Sequence, residues 1–245
     1  MVTLKVRFRR ACDKARRTYR TQGVSAVLRE IKRIAAAALY QRDAQHIFVR
    51  RIPASGASIP RSEAAESLGV TCVFVESAAA LRAIESEIPL SIRDSVDQLR
   101  QRLAQGCSVI VVRKPSRAGH EVIGYGINEP GVFSALGRRG QLFPNVLFNH
   151  YLEILPEYRG QRIAHVMRIA MDEYCRMHGF TKRCAVVSPS NEASLRSNFR
   201  SGLVRVGTVA RVSLLRGLFV WETPLETIRR AVQAVDHQEL PTADS

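Results

Sequence analysis

The chain has 245 residues, 46% of them apolar and 24% charged, with a formal net charge of +15. Length and composition suit one medium globular domain plus an extension. Five scattered cysteines without a C-x-x-C pair suggest neither a disulfide framework nor a zinc site, and no apolar run approaches the ~20 residues of a membrane span.

Charge is concentrated at the start. Residues 1–60 hold fourteen Lys/Arg against three acids, a net +11, which leaves +4 for the other 185 residues. Residues 3–20 are basic and helix-compatible. Over residues 24–40, Val24, Val27, Leu28, Ile31, Ile34, Ala35, Ala38 and Leu39 recur at helical spacing, opposite Arg29, Lys32 and Arg33. His46–Ile52 is a short strand candidate, and the Ser/Ala/Gly stretch from Pro53 to Pro60 reads as a linker. The expected division is therefore 1–60 as a basic helical extension, 61–236 as the main domain and 237–245 as a frayed tail. Three roles compete for the extension: packing on the main domain or a second subunit as in a homodimer, docking of residues 1–40 on an anionic membrane surface, and nucleic-acid contact. The last is disfavoured by sparse aromatics and the lack of a binding motif. The basic start has no uninterrupted apolar core after it, so a cleaved secretion signal is not expected; the unpaired thiols suggest the cytoplasm, with the inner face of a membrane as a peripheral site.

The main domain reads, in order, as a strand at Val70–Glu76, helices at 77–86 and 92–104, a strand at Cys107–Arg113 and its hairpin partner at Glu121–Ile127. Residues 128–141, rich in Gly, read as loop. A strand at Val146–Ile154 follows, then a helix at Ile163–Met177 that His178-Gly179 ends. A strand at Arg183–Val187, a helix at Glu192–Arg200, strands at Val204–Leu214 and Leu218–Glu222 and a helix at 224–235 complete the order. Gly124 and Gly126, flanking Tyr125, mark either a bulge or ligand approach or a plain hairpin.

Tyr151-Leu-Glu-Ile-Leu-Pro-Glu-Tyr-Arg-Gly-Gln-Arg-Ile-Ala-His-Val-Met167 runs from strand through turn to helix. Unpaired N–H groups and the helix dipole make such a junction a phosphate cradle. With Asn191-x-x-Ser194 and Gly202-Leu203 further on, Arg159-Gly-Gln-Arg-Ile-Ala164 resembles the motifs of the GNAT family of acyl-CoA-dependent N-acyltransferases. The resemblance covers roughly residues 70–222. It implies a mixed α/β sheet, splayed between its fourth and fifth strands and flanked by helices, and transfer of an acyl group from acetyl-CoA or another acyl-CoA to an unidentified amine, with no metal.

Carried over by position, the main chain of Leu152, Glu153 and Ile154 would grip the pantetheine arm. Arg159, Gly160, Gln161, Arg162, Ile163, Ala164 and His165 would form the pyrophosphate loop. Asn191 would orient the cofactor arm, with capping of the next helix as its other reading. Two departures stand out. The loop's middle Gly is Arg162, which is compatible with a negative φ at a helix start. The general-acid position, commonly Tyr, is Asn198, which has no proton of useful acidity, so a catalytically inactive acyl-CoA-binding scaffold stays open as the alternative. His150 and Glu153 are the candidate bases. Strand alternation would put His150 with Leu152 and Ile154, and Glu153 with Tyr151 and Asn149. No cysteine sits in a nucleophile motif, which favours direct transfer.

Overall fold

A computed structural model describes residues 40–53, 63–89, 96–117, 119–214 and 219–237. The amphipathic stretch at 24–39, its membrane and dimer readings, and most of the tail lie outside these residues. Among the described residues, no helix is long and apolar enough to cross a membrane. The chain divides into two compact units, Ala44–Val209 with Thr223–Ser245, and Met1–Asp43 with Ala210–Glu222.

The larger unit is a mixed α/β sheet covered by helices. Its strands are β1 (Tyr40–Arg51, of which it holds Ala44 onward), β2 (Thr71–Val75), β3 (Ser108–Ser116), β4 (Gly119–Pro130), β7 (Val146–Ile154), β8 (Lys182–Val187) and β9 (Val204–Leu214, of which it holds the part up to Val209), in the order β9-β1-β8-β7-β4-β3-β2. The strand expected at His46–Ile52 is part of β1 and pairs antiparallel with β8, from His46 opposite Val187 to Arg51 opposite Lys182. It lies within the sheet that carries the loop motifs. Residues 128–141 are not loop. β4 continues to Pro130, and β5 (Val132–Ala135) pairs with β6 (Arg138–Gln141) as a separate hairpin. Of the glycines that suggested loop, Gly131 and Gly137 lie outside its strands and Gly140 lies in β6, where a side chain would meet Leu225, while Phe133 and Ala135 are buried against Phe148 and Val146.

The helices are α1 (Glu63–Leu68), α2 (Ala78–Ile84), α3 (Val96–Ala104), α4 (Ile163–Met177), α5 (Glu192–Arg200) and α6 (Leu225–Ala234). α1 was not expected from the sequence, and the helix expected at 77–86 ends earlier, passing into a 3-10 turn at Glu85–Glu87. Ser77 caps α2 by accepting from the Ala80 N–H. β3 reads as an unbroken apolar run because both its faces are covered. Val109 and Val111 pack with Leu81, Leu99 and Leu103 on one side, and Ile110 and Val112 pack with Val166, Met167 and Met171 of α4 on the other.

Two features shape the strand that leads into α4. β7 pairs antiparallel with β4 along its length, but parallel with β8 only over Val146–Asn149. Beyond Asn149 the edge facing β8 is unpaired by that strand, which is the expected splay. On the other side, Gly124 and Gly126 permit an unusually close β4–β7 pairing: a Cβ would come within 2.9 Å of the Glu153 carbonyl oxygen at the first and 3.0 Å of the Tyr151 carbonyl oxygen at the second. This close approach, together with a register shift at Val112/Arg113, resolves their role.

α4 starts at Arg162, whose φ is +61°, with no side-chain cap. A negative φ was expected; the left-handed conformation instead explains why the resembled motif has Gly there.

In the smaller unit, β10 (Phe219–Glu222) pairs antiparallel with Arg211–Leu214, and Arg211 lies 3.3 Å from Glu222.

Gly126→Ala is expected to destabilise the protein by about 1–3 kcal/mol, since neither backbone can yield without breaking the β4–β7 ladder. Arg162→Gly is expected to stabilise it, by up to about 1 kcal/mol, since the left-handed cost of about 1–2 kcal/mol exceeds the added entropy of glycine. Chemical denaturation of both variants checks the pair; an unchanged midpoint for the first, or a clear loss for the second, contradicts the backbone account.

Candidate functional site

The strand pairing around His150 shows how the site is built. Ile127 pairs with Tyr151 and Asn128 with Asn149, so His150 has no opposite residue and forms a bulge in β7. A bulge adds one residue and resets which face the following side chains take. His150, Tyr151 and Glu153 therefore line the same cavity, contrary to simple alternation, which had separated His150 from the other two. The cavity measures about 840 Å³, within the range of small-molecule sites. Its walls come from α3, the β5–β6 hairpin, β4, β7 and Gln45 of β1.

His150 sits deep in this wall. Its Nε2 lies 2.7 Å from Oε2 of Glu129, a carboxylate whose side chain is only 3% exposed. The other oxygen of Glu129 accepts from Arg139. The His150 ring also meets Phe148 edge-on, with centroids 4.8 Å apart. Burial pulls the His150 pKa below the ordinary imidazole value, and the hydrogen bond to Glu129 works against that pull. The imidazole is thus neutral at physiological pH and held in one orientation.

Glu153 has different partners. Its Oε2 accepts from the hydroxyl of Tyr151 at 2.6 Å and of Tyr125 at 3.2 Å. Burial first, and the Glu153 carboxylate second, push the Tyr151 hydroxyl above its usual range, so it stays protonated as a donor. Among the described residues no cation pairs with Glu153.

On the loop side, the strand–turn–helix junction places the residues as follows. Gly160 has φ +80°, and the space beside its Cα is open. Ile163 and Ala164 occupy the first turn of α4, where their N–H groups have no carbonyl one turn back. Ile163 is buried against Val166 and Met167, which anchors the helix start, whereas Arg162 and His165 are exposed. Gln161 donates to the Glu157 carbonyl at 3.2 Å, and the Arg159 guanidinium to the Ile154 carbonyl at 3.0 Å, tying the loop to the end of β7. Leu152 and Ile154 pack their side chains against the α4 cluster, which leaves only main chain available from them.

The remaining two residues have structural occupations. Asn191 caps α5: its side-chain oxygen accepts from the Ser194 N–H at 3.1 Å, so the capping reading holds. Asn198 is 3% exposed and donates its amide to the Ser194 carbonyl at 2.8 Å. Its side chain is spent inside α5, and it is not among the residues lining the cavity.

Sequence reasoning missed Glu129, Arg139, Tyr125 and the polar face of α3. A signal was present in α3: Val96, Leu99 and Leu103 form its buried stripe, while Gln98, Gln101, Arg102 and Gln105 recur at i, i+3, i+4 and i+7 on the cavity side. Glu129 carried none, because its segment read as loop. Among the described residues, no cluster of three His, Cys, Asp or Glu side chains could hold a metal ion.

No family model matches the chain, and no curated protein matches it in sequence. Solved structures do resemble it. A GCN5-related glucosamine N-acetyltransferase region of a fungal multi-domain GH3 β-N-acetylglucosaminidase aligns over 76% of this chain and 22% of its own, at 12% identity and a TM-score of 0.51. A tandem GNAT protein from the clavulanic acid biosynthesis pathway aligns over 75% of this chain and 58% of its own, at 14% identity and a TM-score of 0.45. An aminoglycoside N-acetyltransferase solved with CoA aligns over 54% and 90%, at 15% and 0.38. The chain spans less than two thirds of the length of the first two. With the splayed sheet, the bulged strand and the strand–loop–helix junction in place, the likeness at 0.51 identifies the fold as that of the GCN5-related N-acetyltransferases.

Proposed function

We propose that this chain is an acyl-CoA-dependent N-acyltransferase that acts by direct transfer, with His150 as the proton acceptor. The observation that carries this reading is the His150–Glu129 pair at 2.7 Å, on the wall of a cavity that the open strand β7 also lines. An acyl-CoA, acetyl-CoA being the simplest, fits the residues beside it. The open space at Gly160 and the unpaired N–H groups of Ile163 and Ala164 suit a pyrophosphate, with Arg159 and Arg162 adding charge. The main chain of Leu152, Glu153 and Ile154 suits the pantetheine arm. Acyl-CoA supplies the thioester, whose C–S bond breaks as the amine nitrogen bonds to the carbonyl carbon and the sulfur leaves as thiolate.

The protein's own groups divide the remaining work. Glu129 accepts the Nε2–H of His150, which fixes the tautomer and leaves the Nδ1 lone pair to take the amine proton. Glu153, supported by two tyrosine hydroxyls and without a cation, attracts the ammonium form of the acceptor. Among the described residues, burial raises Cys72, Cys175 and Cys184 to about 12 and Cys107 to about 11, so these four are protonated thiols at neutral pH. An oriented imidazole and a bare carboxylate in one cavity favour catalysis over the scaffold alternative, which requires neither.

Ala164→Glu tests the cradle. An acid in the first turn of a helix favours folding, so stability is expected to hold while acetyl-CoA affinity falls at least tenfold by calorimetry. Unchanged affinity removes the loop from the reading.

The pH profile tests His150. The base acts when neutral and burial lowers its pKa, so the acid limb of kcat/KM is expected below about 6.5. Glu129→Gln removes the group that raises that pKa, so the limb moves to still lower pH while kcat falls. His150→Gln is expected to lose about 10²–10⁴-fold in kcat. A limb that moves upward in Glu129→Gln, or a fully active His150→Gln, shows that another group is the base.

A further inference from the structure

The cavity holds two uncompensated charges of opposite sign. Glu129 and Arg139 neutralise each other. Glu153 accepts only tyrosine hydroxyls. The Arg102 guanidinium, on the cavity face of α3, has neither a hydrogen bond nor an ion pair to any described residue, although it is close enough to His150 and Cys107 for its charge to act on both. An uncompensated guanidinium in a part-enclosed cavity attracts an anion, and an uncompensated carboxylate attracts an ammonium group. The space around Arg102 is lined by amide side chains that also lack partners among the described residues. Gln98, Gln101 and Gln105 share its helix face, and the Oε1 of Gln45 is buried without a hydrogen bond. Amides in a pocket are donors and acceptors for a ligand that carries hydrogen-bonding groups.

We infer that the acceptor is zwitterionic: an amine bound at Glu153 and His150 that also carries a carboxylate or phosphate bound at Arg102. The inference rests on the transfer reading above for the fate of the amine, but not for its binding. A neutral or purely cationic amine would leave Arg102 without a counter-ion, and a purely anionic ligand would be repelled by Glu153. The polar stripe at Gln98, Gln101 and Gln105 serves the atoms between the two charged ends.

The test uses the full chain and matched probes, γ-aminobutyrate against its amide for the carboxylate arm, and glucosamine 6-phosphate against glucosamine for the phosphate arm. Calorimetry without acyl-CoA reads binding, and thiol release with acetyl-CoA reads transfer. The anionic member of at least one pair is expected to bind at least tenfold more tightly than its neutral partner, and the pair that shows this names the anion. Arg102→Gln is expected to bring that ratio to about one and Arg102→Glu to invert it, while both variants keep acetyl-CoA affinity within twofold, which reports that they are folded. Equal binding of both members, a preference that survives Arg102→Gln, or no binding by either pair overturns the inference. Selective binding without thiol release leaves it standing and refutes the transfer reading instead; thiol release from neutral amines without selectivity does the reverse.

Discussion

The whole site depends on β7 keeping one neighbour while losing the other. Its ladder with β4 runs to Ile154, held close by the absence of side chains at Gly124 and Gly126, whereas its parallel pairing with β8 stops at Asn149. A strand released on both edges would be loose, and one paired on both would offer no backbone to a ligand. Pairing on a single edge leaves rigid main-chain donors and acceptors facing open space, which is what an extended amide-bearing arm requires. The bulge at His150 falls where the two regimes meet. It turns His150 into the cavity and brings Tyr151 and Glu153 to the same side, so one irregularity supplies both the imidazole and the carboxylate.

The charges around this strand are sorted by depth. Beneath it, Asp172 of α4 takes Arg183 of β8 at 2.9 Å and Arg50 of β1 at 3.1 Å, with Asp172 and Arg183 almost fully buried. This pairing joins the helix that follows the loop to the two strands on the far side of the splay. Removing one partner of such a pair leaves a buried charge, so it specifies where α4 sits rather than adding much net stability. At the cavity wall, Glu129 performs a similar duty for His150 and Arg139. Further out, at Glu153 and Arg102, the charged groups have no ionic partner among the described residues. Compensation inside and lack of it at the mouth is the arrangement expected where the missing partner is a ligand.

Much of this was legible in the chain. The run from Tyr151 to Met167 gave the strand, the turn and the long helix, because apolar periodicity and the Pro-to-Gly turn are local signals. The splay followed from resemblance and is visible in the short β7–β8 register. The bulge was not legible: nothing local marks His150 as the extra residue, since bulges are set by the partner strand. The same limit hid Glu129, whose carboxylate gains its role from a residue 21 positions away. The β5–β6 hairpin was missed because Gly131, Gly137 and Gly140 weigh toward loop, while only Phe133 and Ala135 are buried hydrophobics within its strands.

Arg162 and Asn198 depart from the resembled motifs in different ways. At Arg162 the backbone keeps the conformation for which glycine is suited, so the geometry survives the substitution at an energetic cost, and a guanidinium is gained where an anion would sit. At Asn198 the side chain has been absorbed into the end of α5, bonded to Ser194, while its carbonyl accepts from Ser201 and Leu203. Arg162 keeps the main-chain geometry of the resembled motif, whereas the Asn198 side chain is committed to its own helix. Under the proposed transfer, a base without a dedicated proton donor suits a leaving group that needs little help. A thiolate, far less basic than the amine it is exchanged for, is such a leaving group. His150 paired with Glu129, and Asn198 turned into its own helix, are consistent with the proposed transfer, in which deprotonating the amine is the demanding step.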